Sequence, residues 1–117
     1  MQDKTSLTID SRPDGVTIVH MVGDLDSMGT HMIQKTFETA LLERGLQVIV
    51  DLSEVEFISS AGMAMLLVRG KSLRQGGGRL AIASANQRVM EVLTLAGFHE
   101  LFEVYPTVDA ALEKLEN

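Results

Sequence analysis

Cysteine is absent from the 117 residues, so disulfides and thiolate metal sites are excluded. Basic residues are scarce as well: ten Lys and Arg stand against sixteen Asp and Glu, a net charge of −6. A chain with that balance offers no cationic face for a phosphate backbone and no basic patch for anionic lipid, so neither a nucleic acid nor membrane insertion is expected. There is no apolar run long enough to span a bilayer. The polar start, MQDKTSLTIDSR, lacks the apolar stretch of a signal peptide, which makes the cytoplasm the expected location. The three histidines, His20, His31 and His99, have no ligand spacing, and no metal or other cofactor is expected. The serines lack a G-x-S-x-G elbow. The one glycine run, Gly76-Gly77-Gly78, follows a helical pattern and precedes a strand. A phosphate loop needs the reverse order, so the run reads as a helix stop.

What remains is an ordinary globular composition, 45% hydrophobic and 22% charged, at a length that suits one domain over residues 1–117. Residues 7–10 and 16–22 read as strands. Arg12-Pro13-Asp14-Gly15 between them has turn chemistry, so the chain opens with an antiparallel hairpin. A helix follows over about 30–44, with Ile33, Phe37, Ala40 and Leu41 on one face; Asp26, Ser27 and Thr30 are candidate caps and Gly45 the stop. Further strands are expected at 48–50, 79–83 and 101–104. A helix opening at Ser84-Ala85-Asn86 carries Val89, Val92, Leu93 and Ala96, and a last one follows Pro106 with Val108, Ala111, Leu112 and Leu115. The pattern predicts an α/β domain with a mixed sheet of about five strands and about four helices, its later strands parallel.

The most informative stretch is VIVDLSEVEFISSAGMAMLLVRGKSLRQ: a β-branched strand, a loop with two serines, then a helix. Ser60 is the expected N-cap, which puts a hydroxyl at the positive end of a helix dipole, a good place to hold an anion. Stepping round the helix at 100° per residue puts Met63, Leu66, Leu67, Gly70 and Leu73 on the sheet side. Ala61, Ala64, Met65 and Val68 fall on the other side, where an amphipathic helix should be polar. Two readings of that second apolar face stand: cover by another part of the chain, or a partner surface beside Ser60. Under the second, Met65→Asp spares the fold.

Asp24, Asp26 and Asp51 lie at strand ends, where carboxylates could hold Mg²⁺ or accept a phosphoryl group, as in response-regulator receivers. The interval from Asp26 to Asp51 holds one helix and one strand, too few for a receiver, and residues 101–107 lack the lysine a receiver needs. Turn and cap duty is the preferred reading for Asp24 and Asp26.

The order GDLD, helix, VIVDLSEVEFISSAGMAMLLVRGKSLRQGGGRLAIAS, and a helix running into LTLAGFHELFEVYPTVDAAL resembles the STAS family over nearly the whole chain, and within it the bacterial anti-sigma factor antagonists. The resemblance implies a phosphorylation-switched binding module, not an enzyme. Its partners would be an anti-sigma factor of the Ser/Thr kinase type, whose capture frees a sigma factor, and a Ser/Thr phosphatase. It puts Ser60 at the phosphoacceptor position, with Ser59 a second candidate, and Gly62 at the motif glycine. Ser59 stands where the family usually has aspartate, and Ala61 where it has a second hydroxyl residue. It also implies a partner surface of Asp24, Asp26, Ser59, Ser60, Ala61, Gly62, Ala64, Met65 and Val68. The alternative is a STAS scaffold subunit of a larger signalling or transport assembly, with no phosphorylation cycle.

Overall fold

In the structure, a computed structural model that describes residues 4–116, five strands form a single mixed sheet. They are β1 (Ser6–Ser11), β2 (Val16–Val22), β3 (Gln47–Glu54), β4 (Arg79–Ala83) and β5 (Glu103–Tyr105), and they lie in chain order across the sheet. The first pair is antiparallel, closed by the turn at Arg12–Gly15, and every later pair is parallel. The helices are α1 (Ser27–Ala40), α2 (Ser60–Gln75), α3 (Gln87–Leu95), the one-turn α4 (Phe98–Leu101) and α5 (Val108–Glu116).

Alternation along the strands sorts the core into two layers. Val19 and Met21 of β2, Val48, Val50 and Leu52 of β3, and Leu80 and Ile82 of β4 point to one face. There they meet Ile33 and Phe37 of α1, Leu66 and Leu73 of α2, Val89 and Leu93 of α3, and Phe98 of α4. The other face carries a smaller cluster, in which Val16, Ile18, Ile49 and Ala83 pack under α5 through Ala111, with Val108, Leu112 and Leu115 beside it. On that second face Arg79 binds the Glu103 carboxylate, 2.9 Å from Nε, and Tyr105 donates to it as well. Burial pushes the Glu103 carboxyl up, but these hydrogen bonds outweigh it and hold the group below its usual range.

Besides β3, which runs on through Asp51 to Glu54 instead of ending at Val50, three expectations change. First, α1 begins at Ser27, not near Thr30, because Asp26 takes the cap, its Oδ1 accepting from Gly29 N at 2.7 Å; Thr30 lies inside the first turns and is buried. The same helix ends at Ala40, four residues early, with Gly45 (φ +77°) in the loop beyond. Second, α4 is a helix that periodicity misses. Gly97 reverses the chain at φ +74°, and Phe98 and Phe102, four residues apart, bring their rings into tilted contact at 4.8 Å, both buried. This turn displaces β5 from 101–104 to Glu103–Tyr105.

Third, the buried stripe of α2 is Gly62, Met65, Leu66, Gly70 and Leu73, while Met63 and Leu67 are only partly buried. Met65, expected to point outward, is 6% exposed and belongs to the main core. Of the two readings of the second apolar face, cover by another part of the chain is the one that holds at Met65. Gly62 lies against Leu25 and Ile58, and Gly70 lies so close to the Phe102 ring that a Cβ there would overlap it. Beyond the sheet, α2 is thus covered by the loop after β2 at Gly62 and by the Phe102 ring at Gly70. What stays exposed on the first three turns is Ser60, Ala64 and Val68, one residue per turn.

Met65→Asp therefore disrupts the fold. A carboxylate without a partner in this core should cost about 3 kcal/mol or more. A thermal melt should show a large fall in midpoint, and an unchanged midpoint would contradict the burial described here.

Candidate functional site

The loops that leave β2 and β3 run side by side at the carboxyl ends of the parallel strands. Gly23 N donates to Glu54 O at 3.0 Å, and Leu25 N donates to Phe57 O at 2.8 Å. Leu25 and Ile58 form an isolated parallel bridge, both side chains buried. Ser59 N then donates to Leu25 O at 2.9 Å, and Ser59 Oγ donates to the same oxygen at 2.8 Å. From this junction both helices depart in the same way: an extended residue caps each, and its side-chain oxygen accepts from a glycine amide three residues on. For α1 the pair is Asp26 and Gly29; for α2 it is Ser59 and Gly62, at 3.3 Å.

The cap of α2 is thus Ser59 and not Ser60, as the sequence alone suggested. Ser59 keeps extended dihedrals (φ −96°, ψ 175°), whereas Ser60 is already the first helical residue. Two adjacent serines satisfy the capping preference equally well. What separates them is the non-local bond to Leu25, which no local pattern reveals.

The glycines permit the close approach. A Cβ on Gly62 would lie 2.8 Å from Leu25 O, 2.9 Å from Leu25 Cβ and 3.0 Å from Ile58 Cγ1. One on Gly29 would run into Asp24 O and the Thr5 hydroxyl. Thr5 Oγ1 in turn donates to Asp24 O at 2.7 Å, which ties the start of the chain to the same loop. Sequence reasoning missed Thr5, Leu25 and Gly29 as parts of this assembly. Only a repeated cap-x-x-Gly spacing, Asp26 to Gly29 and Ser59 to Gly62, hints at it.

Of the residues expected at a partner surface, the structure gathers Asp24, Asp26, Ser59, Ser60 and Gly62 around Leu25, and Ala64 and Val68 continue from Ser60 along one exposed line of α2. Asp24 and Ser59 are half-buried, as is Ala61; Gly62 is buried and acts as a spacer; Met65 leaves the set. On α1, Met28 and Met32 are 74% and 47% exposed, four residues apart. They line a cleft of about 610 Å³ together with Asp24, Asp26, Glu54 and Glu56. Val68 is 59% exposed and Phe57 41%, so carboxylates and apolar side chains share this end of the molecule.

Asp51 is not part of it. Its position on β3 alternates with Val50 and Leu52, so it points to the α5 side, where Oδ2 lies 2.7 Å from Nδ1 of His20, its register partner on β2. Burial pushes the carboxyl up, but hydrogen bonds from Ser53 N and His20 outweigh it and hold Asp51 below the usual carboxylate range. Asp24, Asp26 and Asp51 therefore do not converge. Among the described residues no group of three His, Cys, Asp or Glu could hold a metal ion.

Residues 10–111 match the family described as STAS domain. A relative named as the anti-sigma F factor antagonist of Paenibacillus polymyxa is 29% identical over 103 residues, covering 87% of this chain and 88% of that protein. Among solved structures, an anti-sigma factor antagonist from Mycobacterium paratuberculosis superposes with a TM-score of 0.88 at 22% identity, over 97% of this chain and 96% of its own. The Bacillus cell fate determinant SpoIIAA in its phosphorylated form gives a TM-score of 0.71 at 17% identity, over 94% of this chain and 99% of its own. At these identities the two structures speak for the fold.

Gly62→Ala tests the junction. The added methyl has backbone and a buried leucine against it, so about 1–3 kcal/mol of stability should be lost despite alanine's better helix propensity. Denaturant unfolding measures this, and a neutral or stabilising result would mean that the loop after β2 is free to shift away from α2.

Proposed function

This chain belongs to the STAS domain family, and we propose that it acts there as an anti-sigma factor antagonist, a binding module and not an enzyme. The observation that carries the reading is the placement of Ser60: an exposed hydroxyl on the first turn of α2, at the head of the exposed line Ala64 and Val68. The name carried by the Paenibacillus relative supports it. So does the phosphorylated form in which SpoIIAA was solved.

In the unphosphorylated state the domain binds an anti-sigma factor of the Ser/Thr kinase type, through Ser60, Ala64 and Val68 with Asp24, Asp26, Met28 and Met32 alongside. A sigma factor is thereby released. The kinase, with its own ATP and Mg²⁺, transfers the γ-phosphoryl group to Ser60 Oγ. The new Oγ–P bond replaces the bond to ADP, and the hydroxyl proton leaves to a base of the kinase. A Ser/Thr phosphatase hydrolyses the ester and restores the hydroxyl. The cycle needs no cofactor bound to this domain, and it runs in the cytoplasm; no helix among the described residues is long and apolar enough to cross a membrane.

The switch follows from charge. A phosphate adds about −1.5 to −2 charges at neutral pH. At the first turn of α2 the free amides and the helix dipole accommodate it, so the fold of the free domain is little affected. Against a partner, the same charge must be desolvated beside Ala64 and Val68, next to Asp24 and Asp26, and opposite a nucleotide-loaded kinase.

Incubation with candidate Ser/Thr-kinase anti-sigma factors and ATP, followed by intact mass and site mapping, tests this. Wild type should gain one phosphate on Ser60. Ser60→Ala should gain none, with its melting midpoint nearly unchanged, because Ser59 supplies the cap. Val68→Asp should also melt like wild type yet bind the kinase at least about tenfold more weakly, since a charge is cheap in water and costly in an apolar contact. Phosphate uptake by Ser60→Ala at the wild-type rate would reject Ser60 as the acceptor and point to Ser59, whereas no uptake by wild type would reject the switch and favour the scaffold role.

A further inference from the structure

We propose that the outer edge of β1 pairs antiparallel with β1 of a second copy of this chain, so that two domains share one continuous sheet and Lys4 of each copy faces Asp10 of the other. The inference is independent of the reading of the Ser60 surface.

The two edges of the sheet differ. β5 is three residues long, Arg79 holds its Glu103, and Pro106 follows its last residue. A short strand and a nearby proline are common protections of an edge. β1 is six residues long, pairs with β2 in unbroken register and contains no proline. Ile9 on it is 38% exposed. Among the described residues no strand lies beyond it. An edge of this kind is a template for another strand.

The ladder to β2 decides which backbone groups face outward. Arg12 N donates to Val16 O at 2.9 Å, so Arg12 directs its amide to β2. That direction alternates along an antiparallel strand. Asp10, Thr8 and Ser6 therefore bond to β2, while Ile9 and Leu7 turn their N–H and C=O to the free edge. Two copies related by a two-fold axis can then join only where odd-numbered residues oppose odd-numbered ones.

Charge selects among these registers. With Leu7 opposite its own copy on the axis, Thr5 faces Ile9, Ser6 faces Thr8 and Lys4 faces Asp10, each twice. Lys4 and Asp10 are both exposed. Moving the axis by one residue sets Lys4 opposite Arg12 or opposite Thr8, and Asp10 then faces no cation. Opposite charges across a strand pair stabilise it, and like charges do the reverse. A foreign strand would have to bring a matching charge pattern; a second copy supplies it twice by symmetry, which makes this chain the occupant.

Sedimentation velocity of the full chain, from micromolar to millimolar concentration, tests the pairing. Wild type should pass from monomer to dimer. Ile9→Pro deletes an outward N–H and leaves the ladder to β2 intact, so it should melt near the wild-type midpoint and stay monomeric. Lys4→Asp and Asp10→Lys each set like charges face to face twice, and each should weaken the dimer at least about tenfold. The double variant Lys4→Asp/Asp10→Lys exchanges the two charges and should recover the wild-type dimer constant. These charge variants carry the test without altering the backbone. A wild type that remains monomeric throughout would overturn the proposal, as would a dimer that Ile9→Pro leaves at full strength. Failure of the double variant to restore what each single variant loses would overturn it too, because the charges would then not face one another.

Discussion

The carbonyl oxygen of Leu25 accepts both the backbone amide and the hydroxyl of Ser59, and it does so beneath a fully buried side chain. Two helix starts depend on that contact. The strand that ends at Val22 leads into Asp26 and α1; the strand that ends at Glu54 leads into Ser59 and α2. Each loop alone would be an exposed connection with free backbone groups. Side by side they satisfy one another through Leu25 N to Phe57 O, Ser59 N to Leu25 O and Gly23 N to Glu54 O. Gly29 and Gly62 make the approach possible, since a side chain at either would collide with backbone.

The surface inherits its character from this junction. Because α2 is pressed against Leu25 on one flank and Phe102 on another, its buried arc is wide, and only one residue per turn is exposed near its start. Ser60 heads that line. The acidic pair Asp24 and Asp26 brackets Leu25 on the neighbouring loop, and Met28 and Met32 continue the apolar area onto α1. A rigid junction beneath an exposed hydroxyl suits a switch in which charge is added without refolding the domain. In the proposed switch the phosphate would change what the surface can bind, while the core of the sheet, held by parallel pairing of β2, β3 and β4, lies below it.

The parts of this architecture with strong local signals are legible in the sequence. The hairpin is marked by Pro13-Asp14-Gly15, β2 and β4 run over the residues expected of them, and Ile33, Phe37 and Leu41 are buried at the spacing expected of α1. The family resemblance and the mixed α/β sheet are likewise readable from the motif order. Where the outcome depends on contacts distant in the chain, sequence reading falls short. Ser59 and Ser60 are equivalent caps until Leu25 is placed beside one of them. Met65 reads as outward because nothing local shows that the loop after β2 and the Phe98–Leu101 turn cover the flanks of α2. That turn is too short for a periodic signal, and its stability comes from two phenylalanines meeting the core.

The measurement that bears most directly on the switch is calorimetric titration of one kinase with two forms of this domain, unphosphorylated and phosphorylated on Ser60, in the presence of nucleotide. Loss of a few kcal/mol to desolvation and like-charge repulsion corresponds to at least about a hundredfold drop in affinity for the phosphorylated form, and that drop is the predicted result. Equal affinities for the two forms would contradict the account.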